Sequence, residues 1–189
     1  AQTTLMINYT CGRTGECMYI GGCNCSVGYK RKKQDKQTEC EHCGKGKYQD
    51  QTNKGDCKKC SAGRYSSVTA ADSCTECDEG KYNDKFGSTK ASDCIPCQLG
   101  KYNNQKKQTS CKECEPGKYA DIRGLHNCKQ CAAGKHAHID LTTLLRHNCK
   151  FCPSGYFQND GQKDNCEFCP EGQESYLFDD YARTSCEDC

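Results

Sequence analysis

Nine CxxC pairs, beginning at Cys40, Cys57, Cys74, Cys94, Cys111, Cys128, Cys149, Cys166 and Cys186, cut most of the chain into steps of 17, 17, 20, 17, 17, 21, 17 and 20 residues. A period this short cannot enclose a conventional core, so each segment must be one small supersecondary element in a tandem array. Glycine falls three residues after the second cysteine of each pair that has chain beyond it: Gly46, Gly63, Gly80, Gly100, Gly117, Gly134, Gly155 and Gly172. Gly28 stands in the same relation to Cys25. Such placement predicts a positive φ or a backbone approach that a Cβ would block. A basic residue and a tyrosine usually come next, as in Gly117-Lys118-Tyr119, which predicts a short strand with lysine outward and the ring over a disulfide. Tyr48, Tyr65, Tyr82, Tyr102 and Tyr119 hold that place, with His136 and Phe157 later in the array. The stretches between, such as Asn103-Asn104-Gln105-Lys106-Lys107-Gln108, look like polar turn material.

The composition agrees. Of 189 residues 22 are Cys, there is no Trp, and the hydrophobic fraction of 34% counts those cysteines. Mean hydropathy is -0.99, so cross-links rather than a core must hold the fold. The expected class is small and disulfide-rich: an elongated tandem array of short hairpin-like cysteine repeats with little regular secondary structure. Disulfides at this density persist in oxidising compartments, which predicts an extracellular or cell-surface location. A net charge of +2 gives no field suited to nucleic acid, and no apolar run is long enough for membrane insertion. The start at Ala1-Gln2 resembles a mature terminus left by signal-peptide removal.

The cysteines admit two chemistries. Cys40, Cys43, Cys57 and Cys60 are spaced like a zinc ribbon, but zinc would group pairs two by two and double the repeat, whereas Gly and Tyr recur with every pair. No metal or other cofactor is therefore expected. The simplest disulfide scheme joins the second cysteine of one pair to the first of the next: Cys25 to Cys40, Cys43 to Cys57, Cys60 to Cys74, Cys77 to Cys94, Cys97 to Cys111, Cys114 to Cys128, Cys131 to Cys149, Cys152 to Cys166 and Cys169 to Cys186. Each closes a loop of about 15 residues, worth about 3 kcal/mol of chain entropy. An interlaced scheme, Cys40 to Cys57 with Cys43 to Cys60, stays open on spacing alone. A thioredoxin-like redox role has no βαβ pattern around it, and no catalytic constellation is present, so no enzymatic activity is expected.

The phrase C-x2-C-x2-G-[KR]-Y, running through residues 40–189, resembles the cysteine-rich ephrin-receptor-like repeat and the first loop of cysteine-rich domains in the tumour necrosis factor receptor family. Similar arrays also occur in protist surface antigens. The resemblance implies sequential pairing and an extracellular setting, and transfers no ligand. Before it, Cys23-Asn24-Cys25-Ser26-Val27-Gly28-Tyr29 resembles the end of an epidermal-growth-factor-like module spanning 11–40, truncated to five cysteines.

Residues 1–10 alternate as an N-terminal strand-like arm, either docked on its own first module or added to a neighbouring subunit's sheet edge. Cys11, Cys17, Cys23 and Cys189 lack assigned partners; Cys23 is expected to pair with Cys11 or Cys17, and an intermolecular disulfide between chain ends is one use for the remaining one and Cys189. Asn8 and Asn24 lie in glycosylation sequons. Lys30-Arg31-Lys32-Lys33 is read first as a solvated loop and second as a contact for anionic glycans. The apolar insertion 139–145 suggests a helical turn or a lateral contact, and His126, His136, His138 and His147 gather loosely around one repeat, His136 as packing. These features together lead to the expectation of an extracellular structural or adhesive filament subunit, glycosylated and self-associating or bound to other extracellular proteins. The alternative is the ligand-binding ectodomain of a cell-surface receptor, and a zinc-dependent adaptor comes third.

Overall fold

A computed structural model describes residues 25–34, 37–161, 163–178 and 182–188. The arm at 1–10, Cys11, Cys17, Cys23, Cys189, Asn8 and Asn24 lie outside the described residues. Nine disulfides run in the sequential order within the described part, at sequence separations of 14 to 18, and the interlaced scheme is not formed. Cys40, Cys43, Cys57 and Cys60 are all consumed in these bonds, so they hold no four-thiolate zinc site.

Each repeat is a two-stranded antiparallel hairpin whose first strand comes after the glycine and whose second precedes the next pair's second cysteine. β1 (Tyr29–Gln34) pairs with β2 (Gln37–His42), β3 (Lys47–Tyr48) with β4 (Lys58–Lys59), β5 (Arg64–Tyr65) with β6 (Thr75–Glu76), and β7 (Lys81–Tyr82) with β8 (Ile95–Pro96). β9 (Lys101–Tyr102) pairs with β10 (Lys112–Glu113), β11 (Lys118–Tyr119) with β12 (Lys129–Gln130), and β13 (Lys135–Ile139) with β14 (Arg146–Phe151). β15 (Tyr156–Phe157) with β16 (Glu167–Phe168), and β17 (Gln173–Phe178) with β18 (Ala182–Asp188), complete the described set. One 3-10 turn, Ala91–Asp93, takes up the extra length of the repeat closed by Cys77 and Cys94. No helix among the described residues is long and apolar enough to cross a membrane.

Isolated two-stranded hairpins are marginal in water, so what surrounds these strands decides their stability. The second cysteine of each pair is buried, from Cys25 and Cys43 through Cys152 and Cys169, and these sulfurs form most of the apolar interior. The chain forms two compact bodies, one from the described residues up to Cys77 with Asp84–Cys94, the other from Asp78–Asn83 with the residues from Ile95 on.

One sequence expectation changes here. The tyrosine is not the enclosed residue: Tyr48, Tyr65, Tyr82, Tyr102 and Tyr119 are half-buried, and the residue after each is the one enclosed. Gln49, Ser66, Asn83, Asn103 and Ala120 fill that place, and Asn103, expected as turn material, is 0% exposed. A two-residue strand is too short for its period-2 alternation to set the orientation of residues beyond its end. The insertion 139–145 makes a single helical turn, Leu144 N–H donating to Asp140 O (2.7 Å), at the tip of a lengthened β13–β14 hairpin, where the Asp140 carboxylate accepts the N–H groups of Thr142 (2.8 Å) and Thr143 (3.0 Å). Bonds from the Thr142 hydroxyl and these two amides hold the Asp140 carboxyl far below the ordinary carboxylate range.

Candidate functional site: the junctions between repeats

The repeated glycine adopts φ from +73° at Gly46 to +84° at Gly172, the left-handed region in which a side chain is strained. That turn aims its N–H and C=O at the next repeat. At the junction in the first body between the Cys43–Cys57 and Cys60–Cys74 repeats, four main-chain bonds form: Gly46 N–H to Ser66 O (2.9 Å), Gln49 N–H to Ala71 O (3.0 Å), Ala70 N–H to Cys43 O (2.8 Å) and Cys60 N–H to Gly46 O (2.9 Å). In the second body Gly100, Asn103, Gly124 and Cys114 donate likewise to Ala120, Leu125, Cys97 and Gly100, at 2.8, 3.2, 2.9 and 2.9 Å. These four bonds use only main-chain groups, so neighbouring repeats can join through them while their loop sequences vary.

Packing also reaches beyond adjacent repeats. A Cβ on Gly46 would strike the carbonyl of Gly87, and one on Gly80 that of Gly124, in each case two repeats further along and within one body. Alternate repeats thus stack glycine against a second turn residue, Gly28 against Ala70, Gly46 against Gly87 and Gly80 against Gly124, and Ala70, Gly87 and Gly124 are themselves at positive φ.

The enclosed side chain after the tyrosine bolts its own loop. Gln49 Nε2 donates to Asp56 O, Asn103 Nδ2 to Ser110 O (2.9 Å), and Gln158 Nε2 to Asn165 O (3.1 Å); each acceptor immediately precedes the first cysteine of the closing pair. Reading down the column Gln49, Ser66, Asn83, Asn103, Ala120, Ala137 and Gln158 would have revealed this position, since none is charged or large and apolar.

Two junctions substitute side chains for main chain. Where the repeat is lengthened, Arg146 NH1 donates to Cys114 O (3.1 Å) and Arg183 NH1 to Cys152 O (3.0 Å), each arginine standing three residues before its cysteine. The matching glycine amides then turn to side chains, Gly117 to Asp164 Oδ1 (3.1 Å) and Gly155 to Ser175 Oγ (3.0 Å). Asp164 also accepts from Arg146 Nε (2.7 Å) and NH2, forming a bidentate pair whose side chains are only 14% and 18% exposed. Burial alone would raise the Asp164 carboxyl, but the bonds from Arg146 and Gly117 outweigh it and leave the group below its ordinary value.

His136, at the tyrosine position, places Nδ1 3.3 Å from Cys166 Sγ, and with Cys152 makes the one His/Cys cluster of metal-ligand size among the described residues. Both sulfurs are spent in the Cys152–Cys166 disulfide, so the cluster offers no thiolate and His136 acts as packing. Burial, aided by His138 and Lys150, lowers the imidazole's affinity for a proton.

The first strand residue and the one before the second cysteine face each other across each hairpin. That seat holds Arg64–Glu76 (2.6 Å), Lys101–Glu113 (3.4 Å), Lys135 over Phe151 (4.2 Å to the ring centroid), the edge-to-face pair Tyr156–Phe168 (5.2 Å), and Gln173–Asp188 (2.9 Å). In the Cys43–Cys57 repeat it holds Lys47 opposite Lys59.

The class this defines is a small disulfide-rich protein of tandem cysteine-rich hairpin repeats. Residues 28–77 match the family model described as tyrosine-protein kinase ephrin type A/B receptor-like. The matched segment opens at Gly28, whose φ of +83° and bond to the Cys43 amide (2.8 Å) carry the repeat geometry back to Cys25. No curated protein matches the chain. The disulfides and the match both favour an extracellular location.

Proposed function

We propose that this chain is a structural or adhesive building block outside the cell, a self-associating subunit of a surface fibre, appendage or coat that performs no catalysis. The observation that carries it is the four-bond main-chain junction, which joins successive repeats without regard to loop sequence and leaves the loop tips to diversify as contacts. Leu141 and Leu144, 87% and 68% exposed at the tip of the lengthened hairpin, supply apolar contacts of the kind lateral assembly uses. An epidermal-growth-factor-like cap over 11–40, the arm at 1–10 adding to a partner's sheet edge, glycans on Asn8 and Asn24, and cross-links through Cys11, Cys17 or Cys189 belong to the same reading.

A ligand-binding receptor ectodomain is the second reading, favoured by the receptor-like description of the family model at 28–77. Electron microscopy of native material, with non-reducing electrophoresis alongside, separates them. The fibre reading expects ordered filaments or sheets that lose lateral order in the Leu141→Ser/Leu144→Ser variant; isolated monomers at every concentration would overturn it.

A further inference from the structure

The Lys47–Lys59 pair is unlike the other cross-hairpin seats. Like charges directly opposite on a hairpin are destabilising, whereas Arg64–Glu76 and Lys101–Glu113 show that the same seat accepts an ion pair. Neither ammonium group makes a hydrogen bond or ion pair among the described residues, and both lysines are exposed. Lys58, next in sequence, is paired with Asp50 (2.6 Å) and lies 5.8 Å from the Tyr48 ring, so the neighbouring cation is neutralised while these two are left bare. Exposed Lys45 lies in the turn leading into the same strand, and Lys54 O accepts from Arg31 N–H (2.6 Å), bringing a further exposed lysine against β1. Residues 25–60 hold ten Lys and Arg against five Asp and Glu, a surplus of five, although the whole chain carries only +2.

We infer that Lys47 and Lys59, with Lys45 beside them, form a docking surface for a sulfated polysaccharide. The stretch 43–60 contains no Ala, Val, Ile, Leu, Met, Phe or Trp, and its one aromatic, Tyr48, is half-buried with Lys58 Nζ 5.8 Å from its ring, so the exposed part offers no large apolar anchor on which a folded protein partner would seat. What remains is a row of unneutralised ammonium groups on a stiff, disulfide-closed hairpin, complementary to closely spaced sulfates. The extracellular setting favours a sulfated glycan over nucleic acid as the polyanion. This inference does not depend on filament formation: a protein that stays monomeric yet binds heparin through these lysines would retain it.

The test is binding of the full chain to heparin, measured in a salt series. Lys47→Gln/Lys59→Gln should weaken binding about tenfold at physiological salt and reduce the slope of log K against log salt by about 2, whereas Lys112→Gln/Lys150→Gln, which removes the same charge elsewhere, should leave both near the parent. Lys47→Glu supplies the acid opposite Lys59 that Glu76 supplies opposite Arg64; it should melt no lower than the parent and lose heparin retention, which separates loss of the surface from loss of the fold. Unchanged binding by Lys47→Glu, equal loss in the control variant, or equal or tighter lysine-dependent binding of single-stranded DNA would each overturn the inference.

Discussion

Replacing Asp164 with alanine tests how a lengthened repeat is held. Asp164 accepts from Gly117 N–H and, twice, from the Arg146 guanidinium, which also donates to Cys114 O. Truncation leaves Arg146 nearly enclosed without a counter-charge. Breaking a buried pair from one side costs about 3 to 5 kcal/mol, and the residual exposure of 14% and 18% places this one at about 3. The orphaned Gly117 amide adds about 1 kcal/mol. A loss near 4 kcal/mol in a chain of this size lowers the melting temperature by about 10 °C. The sign of the second step is the sharper prediction. Arg146→Met in the Asp164→Ala background removes the stranded cation, so the double variant should regain about 1 to 2 kcal/mol and melt above the single one. The assay is thermal unfolding with disulfides intact, together with amide exchange at Gly117, which should accelerate in both variants. Because the folded Asp164 carboxyl titrates below 3.8, the pair's contribution is complete above that value and is lost as pH falls through the folded pKa. An Asp164→Ala variant that melts with the parent, or a double variant less stable than the single one, would refute the reasoning.

The same geometry sets other outcomes. Gly80→Ala meets both a positive φ and the Gly124 carbonyl, whereas Gly172→Ala meets no described residue within 4 Å, so the first should cost at least about 2 kcal/mol and the second about 1, measured by melting. Asn103→Leu removes the donor to Ser110 O and to Lys81 O (3.1 Å) at a fully enclosed position and should cost about 2 kcal/mol, with faster amide exchange across the Cys97–Cys111 loop. His136 resists protonation when folded, so the unfolded chain binds the proton first and stability should decline as pH drops below the usual 6.5; His136→Tyr, which restores the repeat's own residue, should flatten that decline in melts between pH 7 and 5.

Much of the architecture is legible in the chain, and the rest is hidden for physical reasons. The CxxC period and the glycine after each pair announce a tandem array of hairpins, because a positive φ at a fixed offset has few substitutes for glycine. Which residue enters the interior was not legible from strand alternation, since strands of two residues end at the tyrosine and the turn beyond brings Gln49 or Asn103 inside. Stacking of alternate repeats leaves no side-chain signature, as the colliding groups are the carbonyls of Gly87 and Gly124. Arg146 and Arg183 could have been found: each stands three residues before a cysteine in a lengthened repeat, where Ala70, Gly87 and Gly124 supply main-chain donors in other repeats. The unneutralised Lys47–Lys59 seat likewise becomes visible once the hairpin register assigns partners.

The central claim is that each described repeat is closed by a bond from the second cysteine of one pair to the first of the next, which leaves none of those cysteines as a thiolate for metal. Mass-spectrometric mapping of cystine-linked peptides from unreduced native protein tests it most directly. Linked peptides joining Cys43 to Cys57 and Cys60 to Cys74 are predicted, while Cys40 joined to Cys57 with Cys43 joined to Cys60, or free thiols accompanied by bound zinc, would contradict it.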